Sequence, residues 1–99
     1  MGDVPKTVRI AGHIIDVVLV PPSPLGDELD GSFDEAQQTI CVAVSGPDSM
    51  RETLLHEVIH ACERAGLLDM DEHQVHVLAR NLYAFMRDNP AAVEWLTDR

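Results

Sequence analysis

Residues 49–65 read SMRETLLHEVIHACERA, and this run decides how the rest of the chain folds around it. No proline or glycine interrupts the run, and its apolar residues recur at helical spacing. Ser49, followed three residues later by Glu52, has the form of a capping box, which predicts a helix start near residue 50. Gly66 suits a left-handed residue that closes a helix. We therefore expect one long helix between these two signals.

Two strand hairpins are expected before this helix. Residues 6–20 are rich in alternating and β-branched side chains on either side of Ala11-Gly12, which predicts two strands around a tight turn. Residues 33–34 and 39–44 predict a second hairpin around a short polar tip. Between the hairpins, residues 21–31 are dense in Pro, Gly and Asp, so a solvated loop is expected there.

Two more helices are expected after the first. Asp69 followed by Glu72 has the form of a second capping box, and the helix it begins is predicted to reach about Asp88. Pro90 is suited to open a short third helix. The order of strands first and helices after predicts an α+β fold. In detail, we expect a small antiparallel sheet of about four strands, two main helices and a short C-terminal helix, in a single domain over residues 1–99.

The composition indicates which partners and which cellular compartment to expect. Seventeen acidic against seven basic residues give a net charge of −10, which disfavours direct nucleic-acid binding. No apolar run is long enough to span a membrane, so no membrane association is expected. Two cysteines are too few for a disulfide framework, which predicts a cytoplasmic protein. Trp95 and Leu96 either seal the core or form a dimer contact; we favour the core and expect a monomer or weak homodimer.

The central helix also carries a candidate metal site. His56 and His60 are four residues apart, so both rings leave one face of the helix about one turn apart. This spacing lets two imidazole nitrogens reach one zinc ion at about 2.0–2.1 Å. Glu57 projects beside that ion and is the candidate general base that takes a proton from a zinc-activated water. The plainer alternative is two partly exposed histidines with a solvated glutamate.

A third ligand is expected from the second helix, because a catalytic zinc ion usually has three protein ligands. His76 lies at the edge of the predicted buried stripe and is the expected ligand, with Glu72 as the alternative; His73 is predicted to face solvent. Tyr83 lies two turns after His76 on the same face. It is either an oxyanion donor during peptide hydrolysis or a packing residue.

These motifs resemble the small phage- and prophage-encoded zincin-like proteins, distant relatives of the ImmA/IrrE metallopeptidases. The matching pieces are LLHEVIHA (residues 54–61), VHVLA (75–79), LY (82–83) and RDNP (87–90). The resemblance implies a minimal zincin fold with the third ligand on the second helix. That ligand is usually glutamate, and His76 occupies its place here. Three histidines would leave the site more positive by one charge, which makes a bound water more acidic.

Three functions follow as expectations. The first is a zinc metallopeptidase of the HExxH class, with Glu57 as base and a peptide or protein substrate along the sheet edge near residues 39–44. The second is a non-catalytic, zinc-stabilised phage protein that blocks a host factor through its acidic surface. The third is an acidic mimic of nucleic acid that needs no metal. If the chain is phage-encoded, it would act in the cytoplasm of the bacterial host.

Overall fold

A computed structural model describes residues 4–22, 30–66 and 68–98. Four strands come first: β1 (Thr7–Ile10), β2 (His13–Val20), β3 (Gly31–Asp34) and β4 (Thr39–Ala43). Three helices follow them: α1 (Pro47–Ala65), α2 (Glu72–Asp88) and α3 (Pro90–Thr97). The α+β class and this order of elements are as predicted. Most of the solvated loop expected over residues 21–31 lies outside the described residues.

The two hairpins form because local turn signals and strand propensity agree. Ala11 and Gly12 have φ angles of 50° and 83°, the left-handed values that tight two-residue hairpin turns require. They place Ile10 opposite His13 and Thr7 opposite Asp16. β3 and β4 pair antiparallel in the same way, with residues 35–38 between them.

The sheet is mixed rather than wholly antiparallel, which corrects one detail of the prediction. The strand order is β1-β2-β4-β3, and β2 pairs with β4 in parallel. The central position of β4 agrees with its burial, because Ile40 and Val42 are fully buried. β3 reads GSFD, is short and polar, and suits an exposed edge. Residues 39–43 are therefore an internal strand, and the expected substrate edge at 39–44 was wrong.

Helix α1 covers one face of the sheet and forms the main core with it. The buried members of this core are Ile10, Ile15, Val17, Ile40, Val42 and Ala61. The helix begins at Pro47 with Gly46 as its N-cap, without a side-chain cap, so the predicted Ser49 capping box was wrong. The N–H of the first helical residue has no partner within the helix, so a proline, which lacks this N–H, is well tolerated there. Pro47 can therefore begin the helix before Ser49. Gly66 does follow the helix, but with φ −93° rather than a left-handed value.

Helix α2 packs on α1 through a second, smaller core of Ile59, Val75 and Ala79. Its N-cap is Asp71, whose side chain accepts from the Gln74 amide while the Gln74 side chain accepts from the Asp71 amide. The capping box thus exists, but two residues later than predicted. The stripe predicted to be buried on this helix consists of Val75, Leu78, Ala79, Leu82, Phe85 and Met86. Val75 and Ala79 are buried, and the other four residues remain 38–43% exposed.

Helix α3 leaves its largest apolar residues in solvent. Trp95 is 78% exposed and Leu96 is 63% exposed, so the expectation that they seal the core was wrong. Helix α3 has eight residues, and none of them is buried. Among the described residues, no helix combines the length and apolarity needed to cross a bilayer.

Candidate metal centre

Helix α1 brings its two histidines together at the cleft beside the sheet. The His56 and His60 ring centroids are 4.9 Å apart, and their Nε2 atoms are separated by 3.2 Å. Both side chains are partly buried, with 16% and 24% of their surface exposed. As predicted from their spacing of four residues, the two imidazole rings lie side by side with one nitrogen of each close to the other.

Glu72, the first residue of α2, completes a three-residue cluster with these histidines. Its Oε1 lies 2.5 Å from His56 Nε2, and its Oε2 lies 3.1 Å from His60 Nε2. One ligand atom from each residue falls within 4.8 Å of the other two. The Glu72 side chain is 73% exposed, so the cluster is open to solvent on the α2 side.

Two of the three separations in this cluster are close to those around a tetrahedral zinc ion. Two ligands at about 2.0–2.1 Å from zinc, at the tetrahedral angle, lie roughly 3.3–3.4 Å from each other. The Nε2 atoms of His56 and His60 are 3.2 Å apart, and Glu72 Oε2 lies 3.1 Å from His60 Nε2, so both separations are near this value. The other Glu72 oxygen, Oε1, lies 2.5 Å from His56 Nε2, and it would have to move away by about 0.8 Å to reach the tetrahedral spacing. Two imidazole nitrogens and one carboxylate are a common donor set for catalytic zinc. The residues present therefore fit the metal that the sequence suggested.

His76 lies beside this cluster, one helical turn after Glu72. Its ring centroid is 6.1 Å from that of His56, and it lines the same cleft. In this arrangement the structure brings Glu72, the alternative third ligand, together with His56 and His60, while His76 forms the adjacent wall. His73 is exposed, in agreement with its predicted position.

Glu57 is the one buried charged residue among the described side chains, with 7% of its surface exposed. It lines the cleft between α1 and the sheet. Burial raises the pKa of its carboxyl, although the neighbouring His56 and His60 act in the opposite direction and Glu72 adds to the rise. A carboxylate held out of water beside two imidazoles is suited to accept a proton at the cluster.

The close approach of strand β3 to this glutamate depends on Gly31. A Cβ atom at Gly31 would lie 2.6 Å from Thr53 Cγ2, 2.8 Å from the Cys41 carbonyl oxygen and 3.4 Å from Glu57 Cγ. Gly31 therefore lets the edge strand pack directly against the middle of α1. The contact was not predictable from sequence, because it joins an edge strand to a helix more than 20 residues away.

The position of Tyr83 differs from the one that an oxyanion donor would need. Its hydroxyl donates to Asp48 Oδ1 over 2.5 Å, and the Arg87 guanidinium lies 5.6 Å from the ring centre. The described residues that line the metal cleft include Asp48 but not Tyr83. Tyr83 thus ties α2 to the first turn of α1, which agrees with the packing alternative.

The cleft has a volume of about 830 Å³ and is bounded by β3, α1 and the start of α2. No lysine or arginine is among its described lining residues, whereas five carboxylates are: Asp30, Asp48, Glu52, Glu57 and Glu72. Such a wall attracts cations and basic side chains. Its volume lies in the range of about 300–1,000 Å³ that is usual for ligand sites.

Glu63 is a contributor that the sequence analysis did not single out. Its Oε1 lies 3.0 Å from His60 Nδ1, and its Oε2 accepts from the Met70 amide over 2.7 Å. The Met70 amide and the His60 ring hold the pKa of the Glu63 carboxyl below its ordinary value. The signal was present in the sequence as a glutamate three residues after the second histidine of the motif.

Comparison with known proteins finds no matching family, no matching curated protein and no matching solved structure, so the function has to be inferred from the geometry of this site.

Proposed function

We propose that the chain is a minimal zinc metallopeptidase in which His56, His60 and Glu72 hold the metal. The observation that carries the proposal is the convergence of three ligand atoms within 4.8 Å, next to a buried glutamate. The resemblance to the small phage zincin-like proteins supports the same assignment. The free thiols Cys41 and Cys62 agree with a reducing compartment, and we propose the cytoplasm of a bacterial host.

Glu57 would provide the acid–base chemistry. A bound zinc ion supplies Lewis acidity, which polarises a peptide carbonyl and makes a water molecule easier to deprotonate. The Glu57 carboxylate accepts the proton of the attacking water and then donates it to the leaving amide nitrogen. Burial favours its protonated form, which suits a group that must hold this proton between the two steps.

The substrate would lie along β3, the edge strand that borders the cleft. Gly31 and Ser32 line the cleft, and among the described strands β3 pairs with β4 alone. An extended peptide can add to such an edge by backbone hydrogen bonds. The carboxylates of the cleft favour a peptide with lysine or arginine near the scissile bond.

The test compares wild-type protein with Glu57→Gln, both loaded with one equivalent of zinc, on a peptide library that includes lysine- and arginine-rich members. We expect equal metal content and a loss of hydrolysis of about 10²–10⁴-fold in the variant. Glu94→Gln on α3 is the matched control and should retain wild-type activity. Equal hydrolysis by wild type and Glu57→Gln would refute the peptidase proposal.

A second pair of variants decides the third ligand. If Glu72 is the ligand, Glu72→Ala should weaken zinc binding far more than His76→Ala. The reverse order would establish the three-histidine site instead. Competition with a chromophoric chelator gives both affinities on one scale.

A second candidate is a zinc-stabilised binding module without catalysis. The exposure of Trp95 and Leu96 favours it, because exposed apolar side chains of this size often mark interaction surfaces. In this case partner binding would survive Glu57→Gln and be weakened by Trp95→Ser. In the peptidase, Glu57→Gln would be the damaging change.

A further inference from the structure

Glu63 uses its two carboxylate oxygens for two different parts of the metal centre. Oε1 lies 3.0 Å from Nδ1 of His60, and Oε2 accepts the Met70 amide over 2.7 Å. The side chain is only 11% exposed, so solvent competes little for either contact. One contact reaches a proposed zinc ligand, and the other reaches the connection between α1 and α2.

The first contact orients the His60 ring for metal binding. A carboxylate only accepts hydrogen bonds, so the Glu63 contact favours a proton on Nδ1. In the metal-free protein, Glu72 Oε2 lies 3.1 Å from Nε2 and favours a proton on that nitrogen in the same way. When Nε2 binds a metal instead, the ring keeps its proton on Nδ1, and Glu63 is the group that accepts it.

The second contact fixes the chain just before Glu72. Met70 packs against the small core of Ile59, Val75 and Ala79, and the Asp71 capping box begins α2 directly after it. Glu72 follows as the first residue of that helix. Holding the Met70 amide against α1 thus sets how far the Glu72 carboxylate lies from the two histidines.

We propose that Glu63 is the positioning residue of the metal centre, which orients His60 through one oxygen and delivers Glu72 through the other. The inference rests on the proposed zinc site and adds a role outside the ligand set. Carboxylates that accept from the second nitrogen of a ligating histidine typically change metal affinity about 10–100-fold when replaced. Glu63 differs from a simple orienting group, because it also anchors the segment that carries another ligand.

The test uses Glu63→Gln, with Glu94→Gln on α3 as the matched control. Glutamine has one acceptor oxygen, so it cannot accept from both the Met70 amide and His60 Nδ1. If its oxygen keeps the Met70 amide, its NH2 group can only donate to Nδ1, which moves the ring proton to Nε2, the nitrogen that would bind the metal. We expect zinc affinity, measured by chelator competition, to fall about 10–100-fold in Glu63→Gln and to be unchanged in the control. Urea unfolding of the metal-free proteins corrects the affinities for any loss of folded protein.

Two measurements on metal-free protein test the contacts themselves. Long-range ¹H–¹⁵N NMR should show a protonated Nδ1 on His60 of the wild type, and the Met70 amide should exchange slowly with solvent. In Glu63→Gln at least one of these signatures should be lost.

Unchanged zinc affinity in the variant would overturn the positioning role while leaving the zinc proposal intact. Failure of the wild type to bind zinc would overturn the proposed function and this inference together.

Discussion

Replacing Gly31 with alanine should lower the free energy of unfolding by about 1–3 kcal/mol, the usual effect of forcing an extra carbon into a packed site. The added Cβ would lie 2.6 Å from Thr53 Cγ2 and 2.8 Å from the Cys41 carbonyl oxygen. Favourable carbon contacts lie at about 3.5–4.0 Å, so the overlap approaches 1 Å. The Cys41 carbonyl belongs to the paired strand β4 and cannot move without disturbing the sheet.

The assay is urea unfolding followed by far-ultraviolet circular dichroism, together with thermal unfolding. For a domain of this size each kcal/mol shifts the melting temperature by about 4–8 °C, so the expected loss is roughly 4–24 °C. Gly46→Ala is the control for a Cβ placed in open space, because no described atom other than those of its chain neighbours lies within 4 Å. Gly46 is also the N-cap of α1, where alanine is less favourable than glycine, so a small loss of stability is expected. It should stay within about 1 kcal/mol of the wild type.

A double variant identifies the origin of the effect. Thr53→Ser removes the Cγ2 atom that the new Cβ would meet and keeps the hydroxyl. Combined with Gly31→Ala, it should recover at least about 0.5 kcal/mol relative to the sum of the single changes. A Gly31→Ala protein as stable as the wild type would refute the direct packing of β3 on α1, and with it the placement of the edge strand beside Glu57.

Three further outcomes are expected. Ala11→Asn should stabilise the first hairpin by up to about 1 kcal/mol in urea unfolding, because asparagine tolerates the left-handed φ of 50° better than alanine; a destabilised variant would contradict the turn geometry. Asp71→Ala should cost about 1 kcal/mol by the same assay through loss of the cap on α2, and an unchanged midpoint would contradict the capping box. Burial raises the pKa of the Glu57 carboxyl in the folded protein. The folded, metal-free protein therefore holds this proton more tightly than the unfolded chain. As pH rises above the ordinary glutamate range the proton is lost, and the folded state loses stability relative to the unfolded chain. Glu57→Gln should therefore be more stable than the wild type in chelator at pH 7, and the difference in stability should disappear near about pH 4, where both states of the wild type hold the proton. A difference that does not change with pH would contradict this sign.

The sequence predicted the elements whose causes are local. The Ala11-Gly12 turn, the central helix and Pro90 at the start of α3 all follow from neighbouring residues. The same local reasoning placed His56, Glu57 and His60 on one side of a helix. Local signals were less reliable at the helix starts, where Pro47 and Asp71 prevailed over Ser49 and Asp69.

Features that depend on distant parts of the chain were not predictable. The parallel pairing of β2 with β4 requires knowing which strand is apolar enough for the centre of the sheet. Glu72 and His76 lie one turn apart on α2, so the residue that meets the histidines depends on how α2 crosses α1. No pattern within either helix fixes that crossing. The exposure of Trp95 likewise depends on which residues of other elements α3 contacts.

The two separate groups of buried residues imply that the molecule opens in stages. Among the described residues, the core between the helices has three buried members, whereas the core under the sheet has six. Cooperative units with little buried apolar surface open at lower free energy than the rest of a protein. Amide protons of α2 should therefore exchange with solvent before those of β2 and β4. A metal ion bound by His60 of α1 and Glu72 of α2 would hold the two helices together. The exchange rates of the α2 amide protons should therefore fall when the site is occupied.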